Sequence, residues 1–197
     1  MINIILKKTS LIVANDKSHL DTVSNFRKNY GNVIERMEEQ FYEKEVARDN
    51  LGTVFIYLHD QNMIATVRYV PLGHNASVIE SLFTNTLNEG EFSLPTREGS
   101  RFVVHPSFRG NRIFKEALAM SMEWLRDNTT CQNIIAPIRS RLLPLYEKYG
   151  FYSIASAKLP IQGKSVPYKI ILSKLTTILD QTVANGYQKK VPLYNIN

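Results

Sequence analysis

The unit that most constrains the fold is a strand, a basic turn and a helix that follow one another between residues 98 and 124. Phe102 to Val104 are apolar and favour β-structure, and His105-Pro106 ends the strand because proline cannot extend a sheet ladder. Residues 107–111 have the composition of a turn. From Arg112 onward, apolar or small residues recur at the spacing of one helix face: Ile113, Phe114, Ala117, Leu118, Ser121 and Trp124. The sequence therefore predicts a strand joined by a short turn to an amphipathic helix.

The predicted turn carries two arginines, Arg109 and Arg112. A helix start leaves backbone N–H groups free and carries a partial positive charge, so two cations beside it suit a phosphate or pyrophosphate group. The same pattern fits an ordinary strand–helix joint with two solvated arginines. The turn taken alone leaves both interpretations open.

Size and composition favour one soluble domain that spans residues 1–197, with a mass of 22.6 kDa. The single cysteine, Cys131, excludes an internal disulfide, so nothing indicates secretion. The apolar run from Met1 to Leu6 is too short for a signal peptide or a membrane helix. We expect a cytoplasmic protein without integral membrane insertion.

The charge balance indicates an anionic partner, because the formal net charge is +6 and the sequence pI is about 9.4. A nucleic acid, a phosphorylated cofactor and an acidic protein all meet this condition. The basic residues are dispersed and no nucleic-acid motif is present, so nucleic acid is the least favoured of the three.

Helical and strand patterns alternate along the chain and predict one mixed α/β domain. Before the central unit, the predicted elements are strands within residues 2–14, helices from Asp16 or Ser18 to Tyr30 and from Asn32 to about Val46, a hairpin of Thr53–Leu58 and Ile64–Val70, and a short helix over Val78–Leu87. After it come a strand over Ile134–Pro137 and a helix over Arg141–Tyr149 with Gly150 after its end. The last predicted elements are strands over Phe151–Ala155 and Val166–Leu172 and a helix from Leu175 to about Ala184. The charged helix over residues 32–46 either presents a solvated face or walls a substrate pocket.

Two segments together resemble signatures of the GCN5-related N-acetyltransferase (GNAT) superfamily. Residues 104–114 resemble its acyl-CoA-binding motif, and residues 145–151 (Leu-Tyr-Glu-Lys-Tyr-Gly-Phe) resemble its second signature. The resemblance implies an α/β fold with a mixed central sheet flanked by helices. Where the superfamily usually has two small residues, this chain has Arg112 and Phe114, which disfavours the close approach of a coenzyme A pyrophosphate.

A third segment points to one branch of this superfamily. Residues 98–102 (Glu-Gly-Ser-Arg-Phe) resemble a signature of the acyl-homoserine-lactone (autoinducer) synthases, and residues 68–71, Leu82-Phe83 and Pro95 fit the same enzymes. The resemblance covers roughly residues 53–172, with the signatures within about residues 96–157. In the amino-terminal third only scattered counterparts of the autoinducer synthases' acidic cluster are present: Arg27, Glu45 and Asp49. The combination favours the similar long-chain N-acyl amino acid synthases over homoserine lactone chemistry.

This resemblance implies transfer of a fatty acyl group from acyl carrier protein to the amine of an amino acid. Glu98 would accept the proton of the amine, and the backbone N–H groups of Val103 and Val104 would polarise the thioester carbonyl. Tyr146 takes the position that protonates the departing thiolate. For Glu98 the alternative is a structural ion pair with Arg101 or Arg68, and such a pair would also be able to orient the base. For Tyr146 the alternative is a core tyrosine.

The turn would hold the phosphate of the acyl-phosphopantetheine co-substrate, or of acyl-CoA, without a permanently bound cofactor or a metal. The cofactor-binding set is Val103, Val104, Arg109, Gly110, Asn111, Arg112, Ile113 and Phe114, and the catalytic set is Glu98, Arg101, Val104 and Tyr146. The basic residues Arg109, Arg112, Lys115, Arg139 and Arg141 either face the acidic carrier protein or form a dispersed solvated surface.

Three other functions remain open at this point. One is an acetyl-CoA-dependent acetyltransferase of the GNAT superfamily, for which Arg112 and Phe114 are unfavourable. Another is an acyl-homoserine-lactone synthase. The last is a non-catalytic acyl-binding domain, which is favoured if Glu98 and Tyr146 are dispensable.

Overall fold

Seven strands form one mixed sheet in the part of the chain that the structure, a computed structural model, describes: residues 9–31, 39–82, 95–161 and 164–188. The strands are β1 (Thr9–Val13), β2 (Thr53–His59), β3 (Asn62–Pro71), β4 (Thr96–Val104), β5 (Asn133–Arg139), β6 (Tyr152–Ile161) and β7 (Lys164–Lys174). Their order across the sheet is β1-β2-β3-β4-β5-β7-β6. Neighbouring strands are antiparallel except for β4 and β5, which run parallel.

Helices cover both faces of this sheet. They are α1 (Lys17–Tyr30), α2 (Glu39–Leu51), α3 (Val78–Leu82), α4 (Asn111–Asn128), α5 (Leu143–Glu147) and α6 (Leu175–Ala184). Phe55 and Tyr57 of β2 belong to the main core, which α4 and α6 complete, whereas Val54 and Ile56 pack with Val23 of α1 on the opposite face. This alternation follows from the two-residue period of a strand. The predicted α/β fold with a sheet flanked by helices is confirmed.

The predicted elements are present, but several boundaries differ. Asp16 caps α1 by accepting a 2.8 Å hydrogen bond from the N–H of His19, as predicted. Helix α2 continues to Leu51 rather than ending near Val46, and β6 and β7 are each longer than predicted. Most of the extra length is a ladder in which residues 156–161 of β6 pair with residues 164–169 of β7, and these segments mix polar and apolar residues, so an apolar pattern does not reveal them.

The helix predicted over residues 141–149 is shorter in the structure, because a 3-10 turn (Ser140–Leu142) precedes α5. Gly150 has φ +81° and lies where the Schellman motif places its glycine. The N–H of Phe151 bonds to the carbonyl of Tyr146, and the N–H of Gly150 bonds to that of Glu147. The predicted role of Gly150 after the end of this helix is confirmed.

Several predictions lie outside the described residues. They are the strand over residues 2–8, the first part of the second helix (32–38) and the end of the helix predicted through Leu87 (83–87).

The two parallel strands at the centre of the sheet diverge after three paired residues. Thr96 to Glu98 pair with residues 133–135, and no further β4–β5 pair follows. Pro137 lies two residues after the last pair, where its missing N–H needs no β4 partner. Strand β4 also contains a bulge, since two of its residues lie opposite Val67, and Arg101 in that bulge has φ +55°. Together these features open a wedge between β4 and β5.

Candidate active site

A cavity of about 680 Å³ occupies the wedge between β4 and β5. Apolar side chains from both strands and from α4, α5 and β3 line it: Val67, Tyr69, Phe102, Phe114, Ala117, Leu118, Ile134, Ala136, Ile138, Leu145, Tyr146 and Phe151. Four arginines with exposed or partly exposed side chains also line it, namely Arg101, Arg109, Arg139 and Arg141. The cavity therefore joins a basic surface to the apolar interior.

Glu98 is fully buried on the sheet face opposite α4. Its Oε2 accepts a 2.7 Å hydrogen bond from the N–H of Ile79 in α3, and its buried Oε1 has no hydrogen-bond partner among the described residues. Burial raises the pKa of this carboxyl above its ordinary value, although the bonds from Ile79 and Ser100 and the charges of Arg68 and Arg48 act in the opposite direction. Glu98 thus has the environment of a carboxylate that accepts a proton readily.

The segment that holds Ile79 against Glu98 is fixed by a capping box. The N–H of Glu80 donates to Oγ of Ser77, and the N–H of Ser77 donates to the carboxylate of Glu80, both at 3.0 Å. The second carboxylate oxygen of Glu80 accepts the N–H of Gly73 at 2.6 Å. These bonds hold the pKa of Glu80 below its ordinary value against the opposing effect of partial burial. The N-terminus of α3 is therefore tied to the loop before it.

A network of arginines and carboxylates lies on the same sheet face, between α1, α2 and β4. Arg68 is fully buried and bonds to Glu45 and Asp49, each at 3.1 Å. Glu45 also accepts from Nε of Arg101 at 2.6 Å and from Arg48 at 2.8 Å. These cations hold the pKa of Glu45 far below its usual range despite the opposing effect of its burial.

This network changes the expected role of the arginines near Glu98. The sequence offered a structural ion pair of Glu98 with Arg101 or Arg68 as an alternative to catalysis. Hydrogen bonds from both arginines instead go to Glu45, and Glu98 receives a backbone N–H. Because Arg101 also lines the cavity, the bulge at Arg101 connects the network to the wedge.

Arg27 of α1 completes the network and is incompletely paired. Its Nη1 bonds to both carboxylate oxygens of Asp49, at 2.8 and 2.9 Å. Its Nε and Nη2 are buried and have no hydrogen-bond partner among the residues that the structure describes. Each buried donor left without a partner costs about 1–3 kcal/mol, so this arrangement calls for a further acceptor or a function.

The two backbone groups predicted to polarise the carbonyl differ in direction. The N–H of His105 donates to the carbonyl of Ile64 in β3 at 2.8 Å. Since N–H groups alternate along a strand, the N–H of Val103 also faces β3 and that of Val104 faces the wedge. The carbonyl of Val104 accepts Nε of Arg109 at 3.4 Å, and both residues line the cavity. Alternation therefore favours Val104 over Val103 as the donor.

Tyr146 of α5 borders the cavity and is only partly buried as a result. Its ring packs edge-on against Phe114 and Phe151, with centroids 5.0 and 5.4 Å away. Burial raises the pKa of Tyr146 to about 12, so the phenol is neutral and able to donate a proton at physiological pH. The structure thus gives Tyr146 both a core contact and a place on the cavity wall.

Some of the residues predicted to bind the phosphate line the cavity, and others do not. Arg109, Gly110 and Phe114 line the cavity, whereas Arg112 and Ile113 do not, and the side chain of Asn111 lies outside the described part. Arg112 is exposed and pairs with Glu116 of its own helix at 3.0 Å. Of the five predicted basic contacts, Arg109, Arg139 and Arg141 reach the cavity. The fifth, Lys115, donates to the carbonyl of Asn185 at 2.8 Å.

Sequence reasoning missed the residues that position Glu98. These residues are Ile79, which bonds to Glu98, and Ser77 and Glu80, which form the capping box. Arg48 also contributes, because its Nε bonds to the carbonyl of Ala76 at 2.6 Å. The one signal in the sequence was the spacing of Ser77 and Glu80, which is that of a capping box. Within the described residues, no group of histidine, cysteine and carboxylate side chains is arranged to hold a metal. No described helix is long and apolar enough to cross a membrane.

The parted parallel strands, the bulged β4 and the strand–turn–helix unit give this chain a GNAT-like fold, which solved acetyltransferase structures share. Similar structures include the polyamine N-acetyltransferase of Drosophila melanogaster (15% identity, 85% of this chain and 100% of that chain, TM-score 0.65). NAA60 of Arabidopsis thaliana in complex with acetyl-CoA is similar at 13% identity, over 86% of this chain and 99% of that chain, with a TM-score of 0.62. At these identities the likeness shows the fold.

The particular family follows from the sequence profile described as N-acyl amino acid synthase FeeM, which matches residues 27–167. The chain belongs to this family and is an N-acyltransferase. The structure of FeeM from uncultured soil microbes is similar over 93% of this chain and 98% of that chain, at 12% identity and a TM-score of 0.69. A search of curated protein sequences gives no match.

Proposed function

We propose that this single-domain protein transfers a long-chain fatty acyl group from acyl carrier protein to the amine of an amino acid. The observation that supports this most is the apolar cavity of about 680 Å³ between β4 and β5. That volume lies within the range of about 300–1,000 Å³ that is typical of small-molecule sites. A two-carbon acetyl group would leave most of it unfilled, whereas a fatty acyl chain would bury its methylenes against Ala117, Leu118 and Ile134.

The basic entrance supports a carrier protein as the donor. Arg109, Arg139 and Arg141 lie where the phosphopantetheine arm would enter, and an acidic carrier protein would be attracted by their charge. The ring of Phe114 takes up space beside the turn at the start of α4, where it packs against the rings of Phe102 and Tyr149. A carrier protein presents one phosphate on its arm, which needs less room at this turn than the pyrophosphate of coenzyme A.

The chemistry assigned to the site is aminolysis of a thioester. The amine nitrogen attacks the carbonyl carbon, so that the C–N bond forms and the C–S bond breaks. Side chains of the protein accept the proton of the amine and protonate the departing thiolate. Glu98 accepts the proton through Ser100 or a water, because Ser100 lies beside Glu98 and lines the cavity. The N–H of Val104 stabilises the carbonyl oxygen as it becomes negative, and Tyr146 protonates the thiolate.

The test offers purified protein a mixture of amino acids with either long-chain acyl carrier protein or acetyl-CoA, at matched concentrations. Mass spectrometry of the products identifies both the head group and the acyl chain. We expect N-acyl amino acids from the carrier protein, formed much faster than any acetylated product. Equal or faster use of acetyl-CoA would refute the donor assignment, and the absence of any N-acyl amino acid with either donor would refute the function.

A further inference from the structure

The strongest unexplained feature is the pair of unpartnered donors on Arg27. This side chain is 2% exposed, and within the described ranges only its Nη1 is bonded, to both oxygens of Asp49. Nε and Nη2 are buried and unpaired, although nearly all buried polar groups in folded proteins have a partner. A guanidinium has its donors in a planar fork that matches the two oxygens of a carboxylate. Nη1 of Arg27 therefore binds Asp49, and its two other donor groups, Nε and Nη2, are suited to a second carboxylate.

Arg27 does not line the cavity itself, and its link to the reaction site runs through the end of α1. One helical turn further along α1, Tyr30 and Gly31 line the cavity. A Cβ added to Gly31 would lie 3.3 Å from Cγ2 of Val103, so the end of α1 lies directly against the end of β4. Arg27 is thus one turn from the segment that carries Val104, which we assign to the thioester carbonyl.

The ion pairs around Arg27 hold it rigidly on this side of the wedge. Asp49 bonds to both Arg27 and Arg68, and Arg68 bonds to Glu45, which in turn binds Arg101 on the cavity wall. Arg68 also donates to the hydroxyl of Ser100, beside Glu98. A guanidinium fixed in this way loses little conformational freedom when it binds a carboxylate.

We propose that Arg27 binds the α-carboxylate of the amino acid acceptor through its Nε and Nη2, and so makes the enzyme select amino acids over simple amines. This inference rests on the proposed function and deepens it, because it assigns the residue that reads the acceptor. A carboxylate at Arg27 would satisfy both donors and would leave the amine directed toward the thioester and Glu98. Removing the carboxylate from the acceptor would leave the buried guanidinium unpaired again.

The experiment compares three acceptors with one long-chain acyl carrier protein: the best amino acid, its amide, and the corresponding amine without the carboxyl group. The variant is Arg27→Lys, which keeps a positive charge opposite Asp49 but lacks the Nε and Nη2 donors. The matched control is Arg97→Lys on β4, since Arg97 likewise lies outside the cavity lining and bonds to Thr53 and the carbonyl of Tyr69 rather than to Asp49. Melting temperatures of all three proteins are measured alongside.

We expect the natural protein to favour the amino acid over its amide and over the amine. Arg27→Lys should raise the KM for the amino acid by about 10- to 100-fold, the range for a charged hydrogen-bonded pair, with little change for the amine. Arg97→Lys should keep the natural preference. Should Arg27→Lys fail to fold, Arg27→Gln is measured in the same comparison, because its amide retains hydrogen-bonding capacity toward Asp49.

Two results would overturn the proposal while leaving the proposed function intact. One is equal use of amino acid, amide and amine by the natural protein. The other is a variant with a lower melting temperature and an unchanged preference, which would make Arg27 a structural partner of Asp49 only. If no amine of any kind is acylated, the proposed function itself fails, so the two failures are distinguishable.

Discussion

The backbone N–H of Ile79 lies 2.7 Å from Oε2 of Glu98, and this bond joins the first turn of α3 to the start of β4. It occupies Oε2, while Oε1 is buried and has no hydrogen-bond partner in the described part of the chain. Burial raises the pKa of Glu98 and the bond from Ile79 lowers it, so the net rise reflects incomplete compensation. A group held in this balance is suited to accept a proton in one step and release it in the next.

Glu98→Gln should abolish base catalysis without loss of the fold. General-base help is typically worth about 10²- to 10⁴-fold, so kcat should fall by that order. The natural enzyme should gain activity as the pH rises through the elevated pKa of Glu98, and the variant should lack this limb. The measurement is a pH–rate profile of both proteins with the same acyl carrier protein. A variant with the natural rate and profile would remove Glu98 from the mechanism.

The same substitution makes a prediction about stability. A carboxyl whose pKa is raised in the folded protein binds its proton more tightly there, so its contribution is most favourable at low pH and is lost as the pH rises through that pKa. Glutamine stays neutral and still accepts the N–H of Ile79. The melting temperature of Glu98→Gln should therefore equal or exceed the natural value above the pKa of Glu98. A large decrease would indicate that the charge of Glu98 is structural.

How far the sequence predicts the fold can be judged from the unit around β4. The apolar run, the stop at Pro106 and the helical period that follows are local signals, and they gave the strand, the turn and α4 correctly. The bulge at Arg101 and the divergence after Glu98 depend on pairing with β3 and β5. Such pairing is non-local, so no window of the sequence contains it.

The contrast between local signals and non-local contacts also explains why only part of the site could be predicted from the sequence. Glu98, Val104 and Tyr146 were proposed from their motif positions, and in the structure Val104 and Tyr146 line the cavity while Glu98 lies beside Ser100, which also lines it. The partner of Glu98 is a backbone N–H at Ile79, nineteen residues away in the chain, and a backbone group leaves no mark in a side-chain pattern. The assembly of Arg27, Asp49 and Arg68 likewise required the packing of α1 and α2 onto β3.

Disrupting the capping box should change the pKa of Glu98 without a substitution at Glu98 itself. Glu80→Gln removes the charge that accepts from Ser77 and Gly73, so α3 should fray and the bond from Ile79 to Glu98 should weaken. Because that bond lowers the pKa of Glu98, its loss should move the rising limb of the pH–rate profile to higher pH. A lower melting temperature with an unmoved limb would limit Glu80 to a structural role.

Charge reversal should separate the basic residues at the cavity from those on α4. The pair Arg139→Glu and Arg141→Glu should raise the KM for acyl carrier protein and weaken its dependence on salt, because both residues line the cavity. The matched pair Arg112→Glu and Lys115→Glu should have a smaller effect, since neither lines the cavity. A larger effect of the α4 pair would move the docking surface to that helix.

The inner wall of the cavity should set the acyl chain length. Ala117 of α4 lines the cavity and is 2% exposed, and a larger side chain there would fill space otherwise open to the chain. Ala117→Phe should shift the preference toward shorter acyl carrier proteins while the rate with the shortest competent donor is largely kept. The measurement is competition among donors of several lengths. An unchanged length profile in a folded variant would place the end of the acyl chain elsewhere.

Tyr146→Phe should slow release of the thiol while the ring contacts with Phe114 and Phe151 persist. The pKa of Tyr146 is raised to about 12, so the phenol remains protonated throughout the working range and the loss should be nearly independent of pH. General-acid help is typically worth about 10²-fold or more. The decisive comparison uses thioesters of increasingly acidic thiols, whose thiolates leave without a proton donor. The rate ratio of natural enzyme to variant should fall toward one along that series, and a constant ratio would make Tyr146 a packing residue of the cavity wall.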